Sequence, residues 1–289
     1  MPTLTRDRPL DPKALTAAQR DALTDELYAV HRAVFRGVSR EVFRTYVVES
    51  LAERTRIQVF RNGAGWIVGY AAIHCFEVTV EGRPTTVVRA EVGLLRKWRG
   101  QTAAGRLLAR EVIAARLRRP TAQVCFLACP IHPASYLALA RSHGRVWPRP
   151  DAPTPAPVQA LLAGLDGSLR LERAEGHGPH VRTVGWVTRQ SAAERARWID
   201  HPHPLVRFYV EQNPGYEDGH GLRAAVVCSP RVVAEGVLGL LCRQARRAWR
   251  RVFGARLQPN PTGPAPSRLT LAGFGPRSRP RCAPSASAR

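Results

Sequence analysis

The sequence comprises 289 residues, of which 44 are basic and 22 acidic, so that the formal net charge is +22. A hydrophobic content of 44% excludes wholesale disorder, and the length fits one large domain or two small ones. All but two of the basic residues are arginines, a bias typical of GC-rich genomes, yet the charge itself favours partners that carry phosphate.

The N-terminal region and the cysteines lead us to expect a cytoplasmic protein. Residues 1–13 contain no apolar segment typical of a secretory signal, and no stretch reaches the ~18 consecutive apolar residues of a membrane span. The six cysteines include no Cys-x-x-Cys pair. Small buried thiols are therefore favoured over a disulfide or zinc framework.

The first part of the chain alternates helical and extended patterns. Residues 16–35 carry apolar side chains at helical spacing, and Ser39 can cap a second helix over residues 39–51. Strands follow at residues 57–59, 66–80 and 85–95, and an Asn-Gly pair between the first two indicates a hairpin.

A crossover pattern comes next. After Gly100 the apolar spacing becomes helical until Pro120, a short apolar strand follows over residues 123–129, and a further helix over residues 133–143. Antiparallel hairpins followed by a crossover helix predict an α/β fold with a mixed sheet.

The second half is organised less clearly. It reads as a Pro-rich loop over 147–157, a strand over 181–189, a helix over 192–199 and a strand over 222–228. We accordingly divide the chain into a core (1–146), a segment with the loop and remaining strands (147–230), a basic amphipathic helix (231–257) and a disordered tail (258–289).

The basic C-terminal end allows two interpretations. Residues 231–289 contain twelve arginines and one acidic residue. Such a segment can bind nucleic acid or an anionic surface. A helix packed on the core with a solvated arginine face explains the pattern equally well.

Residues 94–108 carry the pattern with the clearest chemistry. A strand ends, a basic turn with small residues follows, and an amphipathic helix begins. Unpaired N–H groups at a helix start bind anions, and the small residues Gly100, Ala103 and Ala104 let a phosphate approach the backbone, where Arg99 adds a charged donor. The pattern predicts a phosphate or pyrophosphate site, unless it is an ordinary strand–helix turn rich in small residues.

The stretch Arg99-Gly100-Gln101-Thr102-Ala103-Ala104 resembles the pyrophosphate loop of the GNAT N-acyltransferase superfamily, Arg/Gln-x-x-Gly-x-Gly/Ala. A Leu-Leu pair follows at 107–108, as in that family, and Thr102 stands where the motif has its first glycine. The order of elements over residues 16–143 is similar as well. The resemblance implies a GNAT-like fold with a C-terminal extension.

The resemblance also implies an acyltransferase that moves an acetyl or other acyl group from acyl-coenzyme A to an amine of a small molecule or peptide, without a metal. The acyl donor would lie where strands 91–95 and 124–129 splay apart, and the acceptor beside residues 147–230. The residues implied to bind the donor are Leu94, Leu95, Arg96, Arg99, Gly100, Gln101, Thr102, Ala103 and Ala104. Two alternatives remain: a nucleic-acid or anionic-surface binding protein, and a GNAT fold that binds ligand without catalysis.

Direct attack of an amine on a thioester needs a base. Glu91, on the strand that leads to the loop, and His74, on the neighbouring strand, are the candidates. Each has a structural alternative, because Glu91 can simply pair with an arginine such as Arg89, and His74 can be a hydrogen-bonded strand residue.

The departing thiolate needs an acid, which the resemblance places on the helix after residue 132. His132 occupies the place of the family's asparagine and Leu139 that of its tyrosine. Tyr136, three residues earlier, shares that helix and is the candidate acid.

Five further histidines lie in loops of the second half. Their spacings include His-x-x-His and His-x-His, but no helix or strand holds them in place, so we predict no metal site. They are His177, His180, His201, His203 and His220.

Overall fold

The structure, a computed structural model, describes residues 4–99, 104–142 and 145–234. The described helices, in chain order, are α1 Ala17–Val34, α2 Arg40–Phe43, α3 Ala104–Arg118, α4 Pro133–Ser142, α5 Ala156–Ser168, α6 Ala192–Ile199 and α7 Pro204–Gln212. The described strands are β1 Leu4–Arg6, β2 Phe35–Arg36, β3 Arg54–Asn62, β4 Ile67–Val80, β5 Arg83–Leu94, β6 Gln123–Ala128, β7 Val181–Thr183, β8 Val187–Thr188, β9 His220–Leu222 and β10 Ala224–Val227.

Six strands form the central sheet, in the order β1-β3-β4-β5-β6-β10. β5 and β6 run parallel, whereas every other neighbouring pair is antiparallel. Parallel neighbours need a crossover connection, which α3 supplies. The predicted α/β fold with a mixed sheet is confirmed.

Helices cover both faces of the sheet. Alternate side chains of a strand point to opposite faces, so that one face packs Ile73, Val88 and Phe126 together with apolar residues of α3, α4 and α7. On the other face, Tyr70 and Ala72 pack with α1 and α2. Val87, Cys125 and Leu127 pack on that face with α5.

Local sequence explains where the first helices begin. Thr16 and Gln19 form a capping box at the start of α1. Ser39 caps α2 as predicted, since its side chain accepts from the N–H of Val42. α2 does not continue as a regular helix to residue 51, because the chain widens into a π-helical turn over Arg44–Val48.

The predicted strand over 181–189 is wrong. Gly185, with φ at 78°, interrupts it, and two short strands result. β7 pairs with β9 and β8 with β2, both outside the central sheet. The predicted strand over 222–228 is divided between β9 and β10, and β10 completes the sheet next to β6.

The sequence patterns did not predict α5 and α7. Both helices begin with proline in the first turn, Pro157 in α5 and Pro204 in α7. Proline is tolerated there because the first N–H groups of a helix have no partner within the helix. The predicted Pro-rich loop over 147–157 therefore runs into the start of α5.

Some predictions fall outside the described residues. They are the loop residues 100–103, the basic helix beyond residue 234 and the tail over 258–289. The division of the chain at residue 146 stays a prediction. Within the described ranges, no helix combines the length and apolarity required to cross a membrane.

A buried histidine lies in the aromatic cluster between α1 and the sheet. His31 is 1% exposed, and its ring contacts those of Phe35, Phe43 and Trp186. Its Nδ1 is 2.9 Å from the hydroxyl of Tyr70. Burial lowers the pKa of His31 from 6.5 to about 4, so the ring is neutral in the folded protein at neutral pH.

We predict that His31 makes the folded state acid-sensitive. Between pH 6.5 and about 4 the unfolded chain takes up a proton at His31 and the folded chain does not. Stability therefore falls as the pH is lowered through this window, by roughly 3 kcal/mol from this group. His31→Asn keeps a polar group near the position of Nδ1 and should lose this part of the pH dependence. Urea denaturation at pH 7 and pH 4.5 measures it, and an unchanged pH dependence in the variant would contradict the prediction.

Candidate active site

β5 and β6 lie side by side over only part of their length. Their parallel pairing covers four residue pairs and ends at Val88 opposite Phe126. β5 continues to Leu94 and β6 to Ala128, without further pairing between these described strands. The sheet therefore contains a gap, at the position where the sequence resemblance implies an acyl donor.

The edge of β5 along this gap carries backbone groups that β4 does not use. The N–H of Leu95 donates to the carbonyl of Val68 at 2.9 Å, on the β4 side. Because the backbone groups of successive residues point to alternate edges of a strand, those of Ala90, Val92 and Leu94 face the gap. Of the two strand residues implied to bind the donor, Leu94 thus faces the gap, and Leu95 directs its N–H to β4.

A cavity of about 330 Å³ occupies the gap and reaches both faces of the sheet. Leu108 of α3 and Leu139 of α4 line it on one face. Phe35, Tyr46 and Trp186 line it on the other, where the aromatic cluster of α1 and α2 ends. Such a mostly apolar cavity with few polar groups is typical of small-molecule sites.

Glu91 lines this cavity from β5 and is 8% exposed. His74 lies behind it on β4, with Nε2 3.1 Å from Oε2, and Arg89 places Nη2 3.7 Å from Oε1. Burial alone would raise the pKa of the Glu91 carboxyl, but His74 and Arg89 together hold the pKa below its ordinary value. The carboxylate is therefore ionised at neutral pH.

The two candidate bases lie next to each other, but they differ in their position relative to the cavity. Glu91 lines the cavity, whereas His74 does not. Although Nε2 of His74 and Oε2 of Glu91 are close, neither has an aligned hydrogen bond, so their contact is an ionic or dipolar one. Of the two, Glu91 is the residue that a ligand in the cavity can contact.

A second cavity lies on the far side of His74. The other ring nitrogen of His74, Nδ1, is 3.0 Å from the hydroxyl of Thr55 on β3. Thr55 lines a cavity of about 260 Å³, together with Lys13, Arg20 and Glu49. The imidazole of His74 thus spans the distance between Thr55 and the carboxylate of Glu91.

Arg89 and Tyr46 belong to the site although sequence analysis did not assign them to it. Both line the cavity, and Nη2 of Arg89 donates to the hydroxyl of Tyr46 at 2.6 Å. Residues two apart on a strand share a face, so the position of Arg89 relative to Glu91 was the available signal. Tyr46 lies in the π-helical turn and is brought there by tertiary packing alone.

The structure does not bring Tyr136 together with Glu91. Tyr136 is fully buried, and its hydroxyl donates to the carbonyl of Pro148 at 2.7 Å. Burial raises the pKa of this phenol well above its ordinary value. Leu139, in the place of the family's tyrosine, lines the cavity together with Ser135 and Ala138 of the same helix. The role of Tyr136 as an acid stays a prediction.

His132 caps α4. Its Nδ1 accepts from the N–H of Ala134 at 3.2 Å, and its Nε2 is 3.0 Å from Oε1 of Gln190. Burial lowers the pKa of this histidine despite the hydrogen bond to Gln190, which raises it. His132 therefore positions α4 as a neutral ring.

The predicted phosphate loop is partly described. Arg96 begins a short 3-10 helix and pairs with Glu194 of α6 at 3.1 Å. Arg99 is exposed at the end of the described stretch, and Ala104 begins α3 and lines the cavity. The remaining donor-binding candidates lie outside the described residues; they are Gly100, Gln101, Thr102 and Ala103.

The histidines of the second half form no recognisable metal centre. His177 and His220 lie with their ring centroids 4.5 Å apart. Across residues 4–99, 104–142 and 145–234, no three or more His, Cys, Asp or Glu side chains are grouped so that they could hold a metal ion.

Comparisons with known proteins find similarity in structure only. No protein-family model matches the sequence, and no curated protein matches it. A probable N-acyltransferase of Enterococcus faecalis aligns with 49% of this chain at 14% identity and a TM-score of 0.33, and this chain covers 32% of that protein. A GCN5-related N-acetyltransferase of Kribbella flavida aligns with 53% of this chain and 86% of its own, at 14% identity and a TM-score of 0.32. A GNAT family N-acetyltransferase of Escherichia coli, solved in complex with CoA, aligns with 49% of this chain and 72% of its own, at 18% identity and a TM-score of 0.29.

Cysteine labelling tests the cavity itself. Cys129 is half-buried and lines the cavity, whereas Cys75, Cys125 and Cys228 are buried in the core. Burial raises the pKa of all four thiols, so access decides their relative reactivity. We expect maleimide to label Cys129 at least about 10-fold faster than these other three in the native protein. Peptide mapping by mass spectrometry measures the rates. Equal labelling of Cys125 and Cys129 would show that the cavity does not give reagents access to Cys129.

Proposed function

We propose that the protein transfers an acyl group from acyl-coenzyme A to an amine. The observation that carries this proposal is the gap between β5 and β6, where a strand edge with free backbone groups borders a cavity that contains an ionised carboxylate. The pantetheine arm of coenzyme A carries amide groups along an extended chain and can pair with such an edge as an added strand does.

In this proposal the donor enters beside α3. Its pantetheine arm pairs with the backbone of Leu94 and Val92, and its pyrophosphate lies against residues 99–104 at the start of α3, where a helix N-terminus favours anions. Arg96 and Arg99 add positive charge at this end. The acyl group then lies in the cavity near Glu91.

The acceptor amine attacks the carbonyl carbon of the thioester directly. A carbon–nitrogen bond forms, the carbon–sulfur bond breaks, the carboxylate of Glu91 takes a proton from the amine, and the thiolate of coenzyme A leaves and takes up a proton. N–H groups along the gap edge of β5 are the donors available to the developing oxyanion. No covalent intermediate on the protein is needed.

His74 is a positioning residue in this scheme. It holds the carboxylate from behind and helps to keep it ionised, so that the base is ready before the amine binds. Its bond to Thr55 fixes the ring.

The alternatives from the sequence stay hypotheses. Binding of nucleic acid or of an anionic surface depends on residues 231–289, nearly all of which lie beyond the described ranges. A ligand-binding protein without catalysis would use the same cavity and fail only in acyl transfer. A cytoplasmic location stays a prediction as well.

Acetyl-coenzyme A should stabilise the protein, because a ligand at 100 times its Kd contributes about 2.7 kcal/mol. Ala138→Trp adds bulk on an exposed, cavity-lining position of α4 and should abolish the rise in Tm. Arg141→Trp places the same side chain at an exposed position of α4 that does not line the cavity and should leave the rise intact. Thermal-shift titration measures all three proteins. No stabilisation of the wild type at millimolar ligand would refute the proposed donor.

Substitutions at the carboxylate test the chemistry. Glu91→Gln should lower kcat/KM for acetyl transfer by about 100-fold or more while acetyl-coenzyme A still binds.

His74→Asn keeps a polar group towards Thr55 but loses the contact with Glu91, so the pKa of the Glu91 carboxyl should rise and the acid limb of the pH–rate profile should move to higher pH. His74→Gln keeps a neutral donor towards Glu91 and should shift it less. Identical pH profiles for both variants and the wild type would exclude this role of His74.

A further inference from the structure

The walls of the cavity carry two charges among the described residues, and these are opposite in sign. Arg89 and Glu91 lie on the same face of β5, with 3.7 Å between Nη2 and Oε1. The other polar side chains of the described wall are Tyr46, Cys129 and Ser135, and the rest are apolar. A ligand that enters this space therefore meets one cation and one anion side by side.

The Arg89 side chain carries more hydrogen-bond donors than the described structure uses. A guanidinium carries five N–H groups. The one hydrogen bond that the structure gives the Arg89 side chain, within the described residues, goes to the hydroxyl of Tyr46. Its side chain is only 11% exposed, so bulk water does not fully replace the missing partners. A guanidinium in such a position pairs with planar, two-oxygen anions, above all carboxylates.

The charge balance points in the same direction. The charges of the described cavity wall balance, because Arg89 offsets Glu91. A simple ammonium ion would add an uncompensated positive charge to a largely desolvated space, which is costly. A zwitterion adds none, since its ammonium faces the carboxylate and its own carboxylate faces the guanidinium.

We propose that the amine acceptor is a free α-amino acid, whose carboxylate binds Arg89 and whose amino group meets Glu91. This inference rests on the proposed acyl transfer for its chemistry, but not for its binding contacts. The spacing of Arg89 and Glu91 suits an amine and a carboxylate on one carbon atom. The bound ammonium gives up two protons in all: Glu91 takes one, which frees the amine for attack, and the other passes to the departing thiolate of coenzyme A. Arg89 orients the molecule without taking part in bond changes.

The side chain of the amino acid is expected to be apolar. Trp186 lies beside Tyr46, the partner of Arg89, with 5.9 Å between the ring centroids. Phe35 and Ile131 continue this apolar wall. No further charged group of the described wall would meet a charged side chain, so a leucine-sized apolar group fits this surface better than that of aspartate or lysine.

The experiment compares three acceptors of similar shape with acetyl-coenzyme A: L-leucine, L-leucinamide and 3-methylbutylamine. The amide lacks the negative charge, and the amine lacks the whole carboxyl group. We expect kcat/KM to be about 100-fold or more higher for leucine than for either analogue, since neither analogue offers a carboxylate to the remaining donors of the Arg89 guanidinium. Arg89→Gln should reduce this preference at least about 10-fold, and Arg89→Lys, which keeps the charge, should retain part of it. Circular-dichroism melting checks that both variants fold.

Two results would overturn the inference. One is an equal or better rate with leucinamide or 3-methylbutylamine in the wild type, and the other is a preference for leucine that survives Arg89→Gln. Either leaves the proposed acyl transfer standing, because transfer itself is then observed.

Calorimetric titration of leucine into the protein without acetyl-coenzyme A separates the remaining cases. Leucine binding that disappears in Arg89→Gln, in a protein that transfers no acyl group, supports the amino-acid site and rejects the proposed function. If leucine neither binds nor reacts, the amino-acid site is rejected.

Discussion

The site depends on a loss of pairing in the middle of the sheet. β5 and β6 share four residue pairs and then part, so that backbone groups along the gap have no strand partner among the residues the structure describes. Buried backbone groups rarely remain unpaired, because each then lacks the hydrogen bonds that water would supply. The gap therefore calls for a ligand with complementary amide groups or for water. Helices on both faces fix the walls around it, and the cavity follows from this one departure from a regular sheet.

The negative charge of Glu91 is stabilised by side chains of its own and neighbouring strands. Glu91 is kept ionised by His74 on β4 and by Arg89 on β5, and His74 is held in turn by Thr55 on β3. Three neighbouring strands thus contribute to one carboxylate. Antiparallel register places these residues opposite each other, as Thr55 opposite His74 and His74 opposite Arg89. A slip of one residue in any of these strands would turn the charged groups to the other face.

Much of this arrangement could be predicted from the sequence, for reasons that particular residues show. The Asn-Gly turn after residue 61 and the apolar alternation around it specify the β3–β4 hairpin, and Ser39 marks the start of α2. Glu91 was a candidate because it lies just before a basic, Gly- and Ala-rich turn. Sequence could not separate it from His74 as a base, because that distinction depends on which side chain lines the cavity. Tyr46 was not predicted to reach the site, since it comes from a π-helical turn that depends on tertiary packing. α5 and α7 were not predicted, because their prolines indicated loops. In the structure these prolines occupy the first turn of each helix.

The gap also changes the number of strand edges in the sheet. A six-stranded open sheet has two outer edges, and here the parting of β5 from β6 creates two more inside the molecule. Outer edges are open to any extended chain, which is why they promote aggregation. The inner edges of the described strands border a cavity of about 330 Å³ whose wall includes side chains on both faces of the sheet. A ligand that pairs with these inner edges has to fit within that cavity, so its size limits which extended chains reach the backbone of β5 before any charged contact forms.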